Sequence, residues 1–242
     1  MNIRVLDSQE QLDDIAAEYL IGAVERRPDA VLGLATGSTP IGIYEKMVEK
    51  HRSRHISFRE ATTFNLDEYV GLAPDHEQSY ASYMNKHLFQ HIDLPATHAH
   101  LPNGMAASLE EECKHYERML AEQPVDIQLL GLGHNGHIGF NEPGDTLSGD
   151  THAVVLQERT RDANARFFDS KDDVPTHAIT MGVGSILKAK TIILAVRGAD
   201  KADIVREALF GPISTECPAS LLQTHGDVIV LLDREAGRKL SL

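Results

Sequence analysis

Basic residues are in short supply in this chain. Lys and Arg number 23 against 36 Asp and Glu, a formal net charge of -13 over 242 residues, and nowhere do the cations gather into a cluster. A nucleic-acid binder needs a basic footprint, so that class is excluded. An acidic protein that handles an anion must build a local positive pocket against its own field, which makes each Arg or Lys beside a glycine-rich turn worth tracing. Cysteine is equally sparse. Cys113 and Cys217 lie far apart and neither belongs to a metal-type pair, which reads as two unlinked thiols in a reducing compartment. Long hydrophobic runs are missing too: the start, MNIRVLDSQE, has no signal-peptide core, and no segment approaches membrane-spanning length. A cytoplasmic protein with no membrane or nucleic-acid partner is expected. There is also no internal repeat, low-complexity tract or linker, so residues 1–242 are read as a single domain.

What is present is an ordinary globular composition, 42% hydrophobic and 24% charged, with length enough for a substantial core. Short apolar strands alternate with amphipathic helices. Ser8 with Gln11 reads as a capping box that opens a helix running towards Arg26. Strands are expected at Ala30–Ala35, Ala61–Leu66, Asp126–Leu132, Ala178–Met181, Thr191–Val196 and Val228–Leu232. Helices are expected from about Ile41, then around Ser79–Leu88, Ser108–Ala121, Lys201–Phe210 and Ala219–His225. Strands without polar alternation, separated by helices, predict an α/β fold: a mostly parallel, doubly wound, Rossmann-like sheet with helices on both faces. Ligands in such sheets bind beyond the carboxyl ends of the strands, where the unusual residues of this sequence collect.

Four groups of residues stand out. Thr36-Gly37-Ser38-Thr39-Pro40 joins a buried strand to a helix. Free backbone N–H groups there, with the hydroxyls of Ser38 and Thr39, suit a phosphate; a plain Ser or Thr helix cap is the simpler reading. The downstream Gly-Lys-Ser/Thr of a Walker loop and the third Gly of a dinucleotide fingerprint are both missing. In Phe64-Asn65-Leu66-Asp67-Glu68-Tyr69 a strand runs out into adjacent acids, which suits a base acting on a carbon acid; a solvated acidic turn or a helix cap is the simpler reading. The densest run is Gly131-Leu132-Gly133-His134-Asn135-Gly136-His137-Ile138-Gly139-Phe140-Asn141-Glu142-Pro143-Gly144. His137 and Glu142 suit an acid/base pair in which the carboxylate sets the tautomer. Satisfied loop residues are one alternative, and a metal on His134 and His137 another, although a third ligand at recognisable spacing is lacking. Arg166, in TRDANARFF, and Lys201, in RGADKADIV, are either solvated charges or two parts of a phosphate clamp.

These motifs together resemble the glucosamine-6-phosphate deaminases, in the superfamily that includes 6-phosphogluconolactonases. The likeness runs from TGSTP through FNLDEYVGL, GHNGHIGFNEPG, TRDANARFF and GADKA to CPASLLQTH, nearly the whole chain. It implies an aldose–ketose isomerase that converts glucosamine 6-phosphate and water to fructose 6-phosphate and ammonia. By the resemblance, Asp67 is the base that moves a proton from carbon 2 to carbon 1, and His137, supported by Glu142, opens the pyranose ring. Asn135 stands where many members carry Asp, so it brings no negative charge to His137 and orients the ring by hydrogen bonding. The implied substrate-binding set is Gly37, Ser38, Thr39, Gly131, Arg166 and Lys201, with a lid around Arg166. Neither a cofactor nor a metal is implied. Longer, allosterically controlled members are hexamers with a further segment after the last strand; ending in LLDREAGRKLSL, this chain is expected to be a monomer without N-acetylglucosamine 6-phosphate activation. The rival readings are a 6-phosphogluconolactonase-type hydrolase and a non-catalytic sugar-phosphate sensor. Tyr69 after the Asp-Glu pair and FNEP after His137 favour the deaminase.

Overall fold

The computed structural model of the protein describes residues 1–165, 168 and 170–240. In chain order the main elements are β1 (Asn2–Leu6), α1 (Gln9–Arg26), β2 (Val31–Leu34), α2 (Pro40–Arg54), β3 (Thr62–Asn65), β4 (Asp67–Tyr69), α3 (Tyr80–His87) and β5 (Ala99–His100). They continue with α4 (Leu109–Glu122), β6 (Ile127–Leu130), β7 (His152–Val155), α5 (Glu158–Asn164), β8 (His177–Thr180), α6 (Val183–Leu187), β9 (Thr191–Val196), α7 (Ala202–Phe210), β10 (Val228–Asp233) and α8 (Arg234–Gly237).

Seven strands form the central sheet in the order β1-β10-β9-β6-β2-β3-β5, with parallel pairing throughout. β2, β3, β6 and β10 are buried along their whole length. That is why β2 and most of β6 and β10 read as apolar runs without alternation: helices flank the sheet and leave no wet face to select polar alternation. β3 and β6 also bury Thr62, Thr63, Asn65 and Gln128. Ile192, Ile193, Leu194, Val230, Leu231 and Leu232 are all fully buried. Each such side chain stabilises the fold by about 1.5–3 kcal/mol relative to an exposed one. The two cysteines are buried and free. α1 starts at its expected cap, Ser8 Oγ accepting from the Gln11 amide at 3.1 Å. The reciprocal arm of the box lands one residue early: Gln11 Oε1 accepts from the Asp7 amide at 2.9 Å.

Three features depart from the expected pattern. β1, an edge strand exposed at three of its five residues and paired with β10, and the two-residue β5 at the opposite edge were not anticipated. The strand expected at Ala178–Met181 belongs to a second, antiparallel sheet of order β4-β8-β7. β7 alternates half-buried and exposed positions, the signature of a strand with one wet face. Finally, Pro218–Thr224 forms a 3-10 helix where an α-helix at Ala219–His225 was expected.

The order of the central sheet positions the site. From β2 the chain adds β3 and β5 on one side, then returns to place β6 on the other. A crevice forms at such a reversal, outside the carboxyl ends of the strands. The segments following β9, β6, β2 and β3 are therefore neighbours, and they carry Lys201, residues 131–142, residues 36–40 and Asp67.

Candidate active site

Asp67 and Glu68 form β4 rather than the fraying end of β3, with Leu66 between the two strands. Alternation along a strand sends adjacent side chains to opposite faces, and the two acids meet different fates. Glu68, 3% exposed, accepts from the amides of Tyr69, Tyr80 and Ala81 at 2.8–2.9 Å. It thereby caps the positive end of α3. Burial raises its carboxyl above the usual range, and the three amides oppose that rise. Asp67 is 6% exposed, and no hydrogen bond to its carboxyl is seen among the described residues. Desolvation first, and the charge of Glu68 second, push its pKa up to about 8.

The glycine-rich loop after β6 passes directly over Asp67. At Gly139 a side chain would begin 2.9 Å from Thr180 Oγ1 and 3.7 Å from Asp67 Oδ2, and φ there is +57°, so glycine is required. β8 pins this loop: Thr180 Oγ1 accepts from the Phe140 amide at 3.1 Å, and Asn141 Nδ2 donates to the carbonyls of Ile138 and Met181 at 2.9 and 2.8 Å. Thr180 also faces Asp67 across the β4–β8 pairing.

Further along the loop, His137 Nδ1 lies 3.1 Å from Glu142 Oε2. The distance is that of an ion pair, but Nδ1 makes no aligned hydrogen bond. Asn135 Nδ2 donates to the same oxygen at 2.5 Å, and Thr160 Oγ1 donates to Oε1 at 2.6 Å. Burial alone would raise the Glu142 carboxyl; His137, Thr160 and Asn135 outweigh it and hold the pKa at about 2. Asn135 Oδ1 also accepts from the His137 amide at 3.3 Å.

His134 turns away from this group. Its Nε2 lies 2.6 Å from Asp200 Oδ2 on the exposed rim, so the two histidines serve different acids. Among the described residues no three His, Cys, Asp or Glu are grouped to hold a metal.

The turn after β2 brings Gly37 (φ +96°) and Ser38 to the surface and leaves Thr39 half-buried. Thr39 stands in the helical region and makes no side-chain cap, so the plain-cap reading fails for it and the first amides of α2 are not satisfied by its hydroxyl. Tyr83 of α3 donates to the Gly37 carbonyl at 2.6 Å. Lys201 Nζ donates to the Leu132 carbonyl at 2.6 Å, beside Gly131 at the end of β6. Arg166 lies outside the described residues, as do Phe167 and Asp169, so the expected lid falls largely on a segment without description.

Two residues that sequence reasoning passed over join these parts. The Tyr80 hydroxyl is hydrogen-bonded to those of Thr36 and Tyr69, and its ring stacks on Phe140 at 6.2 Å. It ties the 36–40 turn, the acidic strand and the glycine loop into one wall. Thr160 brings α5 onto Glu142. Ser79, the cap of α3, was the nearest sequence signal to Tyr80; Thr160 had none beyond its place in TRDANARFF.

The site thus combines a desolvated carboxyl, an ionised carboxylate beside a histidine, a glycine turn at a helix start, and a lysine held at the end of β6. Residues 7–230 match the family model described as glucosamine-6-phosphate isomerases/6-phosphogluconolactonase. A glucosamine-6-phosphate deaminase of Bacillus pumilus is 50% identical over 238 residues, which span 98% of this chain and 99% of that one. A solved structure described as a monomeric glucosamine-6-phosphate deaminase superposes with a TM-score of 0.96 at 49% identity, covering 98% of this chain and 99% of its own. A 6-phosphogluconolactonase from Trypanosoma brucei shares the fold, with a TM-score of 0.80 at 20% identity and coverage of 99% and 98%.

Proposed function

Because the chain belongs to the glucosamine-6-phosphate isomerase/6-phosphogluconolactonase family, we propose that it converts glucosamine 6-phosphate and water to fructose 6-phosphate and ammonia. The observation that carries this reading is Asp67: a desolvated carboxyl with a pKa of about 8, set against the loop that bears His137 and Glu142.

The sugar phosphate docks with its phosphate on Gly37, Ser38 and Thr39 and near Lys201, where helix-start amides and a cation offset the protein's negative field. Gly131 lines the same crevice, and Arg166 completes the clamp. His137, held by Glu142 and Asn135, carries the proton of the anomeric hydroxyl to the ring oxygen, and the pyranose opens. Asp67 removes the proton from carbon 2, giving an enolamine, and returns it to carbon 1. The resulting iminium at carbon 2 takes up water and expels ammonia. A base with a pKa near the working pH suits both halves of that transfer, since it must accept a proton and then release it. Substrate enclosure by the Tyr69, Tyr80 and Phe140 wall keeps the carboxyl dry.

The likeness to a monomeric deaminase supports a monomer. Two buried free thiols support the cytoplasm, and no helix among the described residues is long and apolar enough to cross a membrane.

The test is incubation of the purified chain with glucosamine 6-phosphate and, separately, with 6-phosphogluconolactone. Release of ammonia and fructose 6-phosphate in equal amounts is the expected result. Inertness towards the amino sugar with hydrolysis of the lactone would leave family membership standing and overturn the reaction. Light scattering on the same preparation checks the monomer.

A further inference from the structure

The ring-opening group proposed above has a member on a different element. Glu142 is ionised and so can only accept, which means that both Asn135 Nδ2 and Thr160 Oγ1 donate to it. They do so on opposite oxygens: Asn135 on Oε2 and Thr160 on Oε1. One donor alone leaves a carboxylate free to turn about its terminal bond, because that torsion is broad. A second donor on the other oxygen fixes the plane. The plane matters here because His137 Nδ1 is within 3.1 Å of Oε2 yet short of alignment, so a small rotation decides whether the pair is made or lost. Thr160 is 8% exposed, and its hydroxyl proton is committed to Glu142 at 2.6 Å. Nothing in the chemistry of ring opening asks for a hydroxyl on α5; its position is the reason to assign it one.

We propose that Thr160 is a positioning residue for ring opening, holding the Glu142 carboxylate in the plane that presents Oε2 to His137. It acts through Glu142 and touches neither the sugar nor the base. The inference rests on the deaminase reading and assigns one more residue to it.

The experiment compares wild type with Thr160→Val, which keeps the shape and loses the donor, and Thr160→Ser, which keeps the donor. Turnover of glucosamine 6-phosphate is measured alongside calorimetric affinity for 2-amino-2-deoxyglucitol 6-phosphate, an open-chain analogue with no ring to open. Loss of a hydrogen bond to a charged group predicts a fall in kcat of about tenfold or more for Thr160→Val. Thr160→Ser should stay within about twofold of wild type, since its hydroxyl makes the same bond, and all three proteins should bind the analogue alike. If Thr160→Val fails to fold by circular dichroism, Thr160→Ala carries the same expectations. The proposal is overturned by wild-type turnover in Thr160→Val, by Thr160→Ser falling as low as Thr160→Val, or by analogue affinity dropping in step with kcat. The last result would make the seat of α5 the important feature rather than the carboxylate plane. Absence of ammonia release by wild type is a separate outcome, which sinks the deaminase reading itself.

Discussion

Asp67 and Glu142 are carboxylates of the same cleft, and their surroundings drive them apart. Asp67 sits on a short strand with no donor seen among the described residues and with the charge of Glu68 on its own strand, and its pKa rises to about 8. Glu142 is also largely enclosed, its side chain 7% exposed. Yet it accepts from an amide and a hydroxyl, lies 3.1 Å from an imidazole, and stays ionised down to about 2. Burial therefore does not decide alone: it is the largest cause of the rise at Asp67, and at Glu142 it is outweighed by the neighbours. What separates the two is how many protons the neighbours point at the oxygens, and the result is one carboxyl able to trade a proton near neutral pH beside one that holds a fixed charge.

The effects on stability run in opposite directions. A raised carboxyl pKa stabilises the fold below the unfolded value, near 3.8 for Asp67, and that contribution is lost as pH rises through about 8. A lowered one stabilises above the unfolded value, near 4.5 for Glu142, and is lost as pH falls through about 2.

The sharpest way to break the contrast is at Asp67 itself. Asp67→Asn should lower kcat/KM for glucosamine 6-phosphate by about 10³-fold, the range of a lost general base. Its thermal midpoint at pH 9 should equal or exceed that of wild type, because a desolvated charge has been removed. A clear loss of stability at pH 9 would show that the carboxylate has partners after all.

Glu142→Gln attacks the other side and should reduce kcat by about 10²-fold. Unlike Asp67→Asn it should destabilise at pH 7, by roughly 2–4 °C in midpoint for each kcal/mol lost. The deficit should shrink as pH is lowered towards 2, where the wild-type carboxylate is itself protonated. A deficit that persists unchanged at low pH would count against the charge as its source.

Glu68→Gln sharpens the comparison without touching either residue. The rise of kcat/KM with pH reports the free enzyme's base and is expected near pH 8 in wild type. Removing the neighbouring charge should move that limb to lower pH; an unmoved limb would leave desolvation as the sole cause. The smallest effect is expected at the glycine turn before α2. Gly37→Ala meets no atom within 4 Å, but φ of +96° is unfavourable for any side chain, and a stability loss of about 1–2 kcal/mol should follow. Calorimetry or denaturant melts would read it, and no loss would mean that the turn relaxes freely.

Legibility followed burial. β2, β6, β9 and β10 were readable because strands covered on both faces are mostly apolar and lack polar alternation. β1, β4 and β7 were not: an exposed edge, a three-residue acidic strand and a half-wet strand carry too little pattern to stand out. At the site, His137, Glu142 and Asp67 were conspicuous as titratable groups at strand ends. The hydroxyls of Thr160, Thr36 and Tyr80 were not, since Thr and Tyr occur everywhere and only a partner across the fold distinguishes them. Glu68 is the instructive case: adjacent to Asp67 and of like chemistry, it proves to hold the first amides of α3.

The sequence by itself determined the inventory. It supplied two carboxyls, a histidine, a glycine turn before a helix and a lysine at the ends of parallel strands, because those residue types and that alternation are local facts. Only the tertiary structure decided which carboxyl is which. A side chain's pKa depends on the water it loses and the donors it meets, and residues far apart in the chain, Thr160 for Glu142 and Gly139 over Asp67, set both.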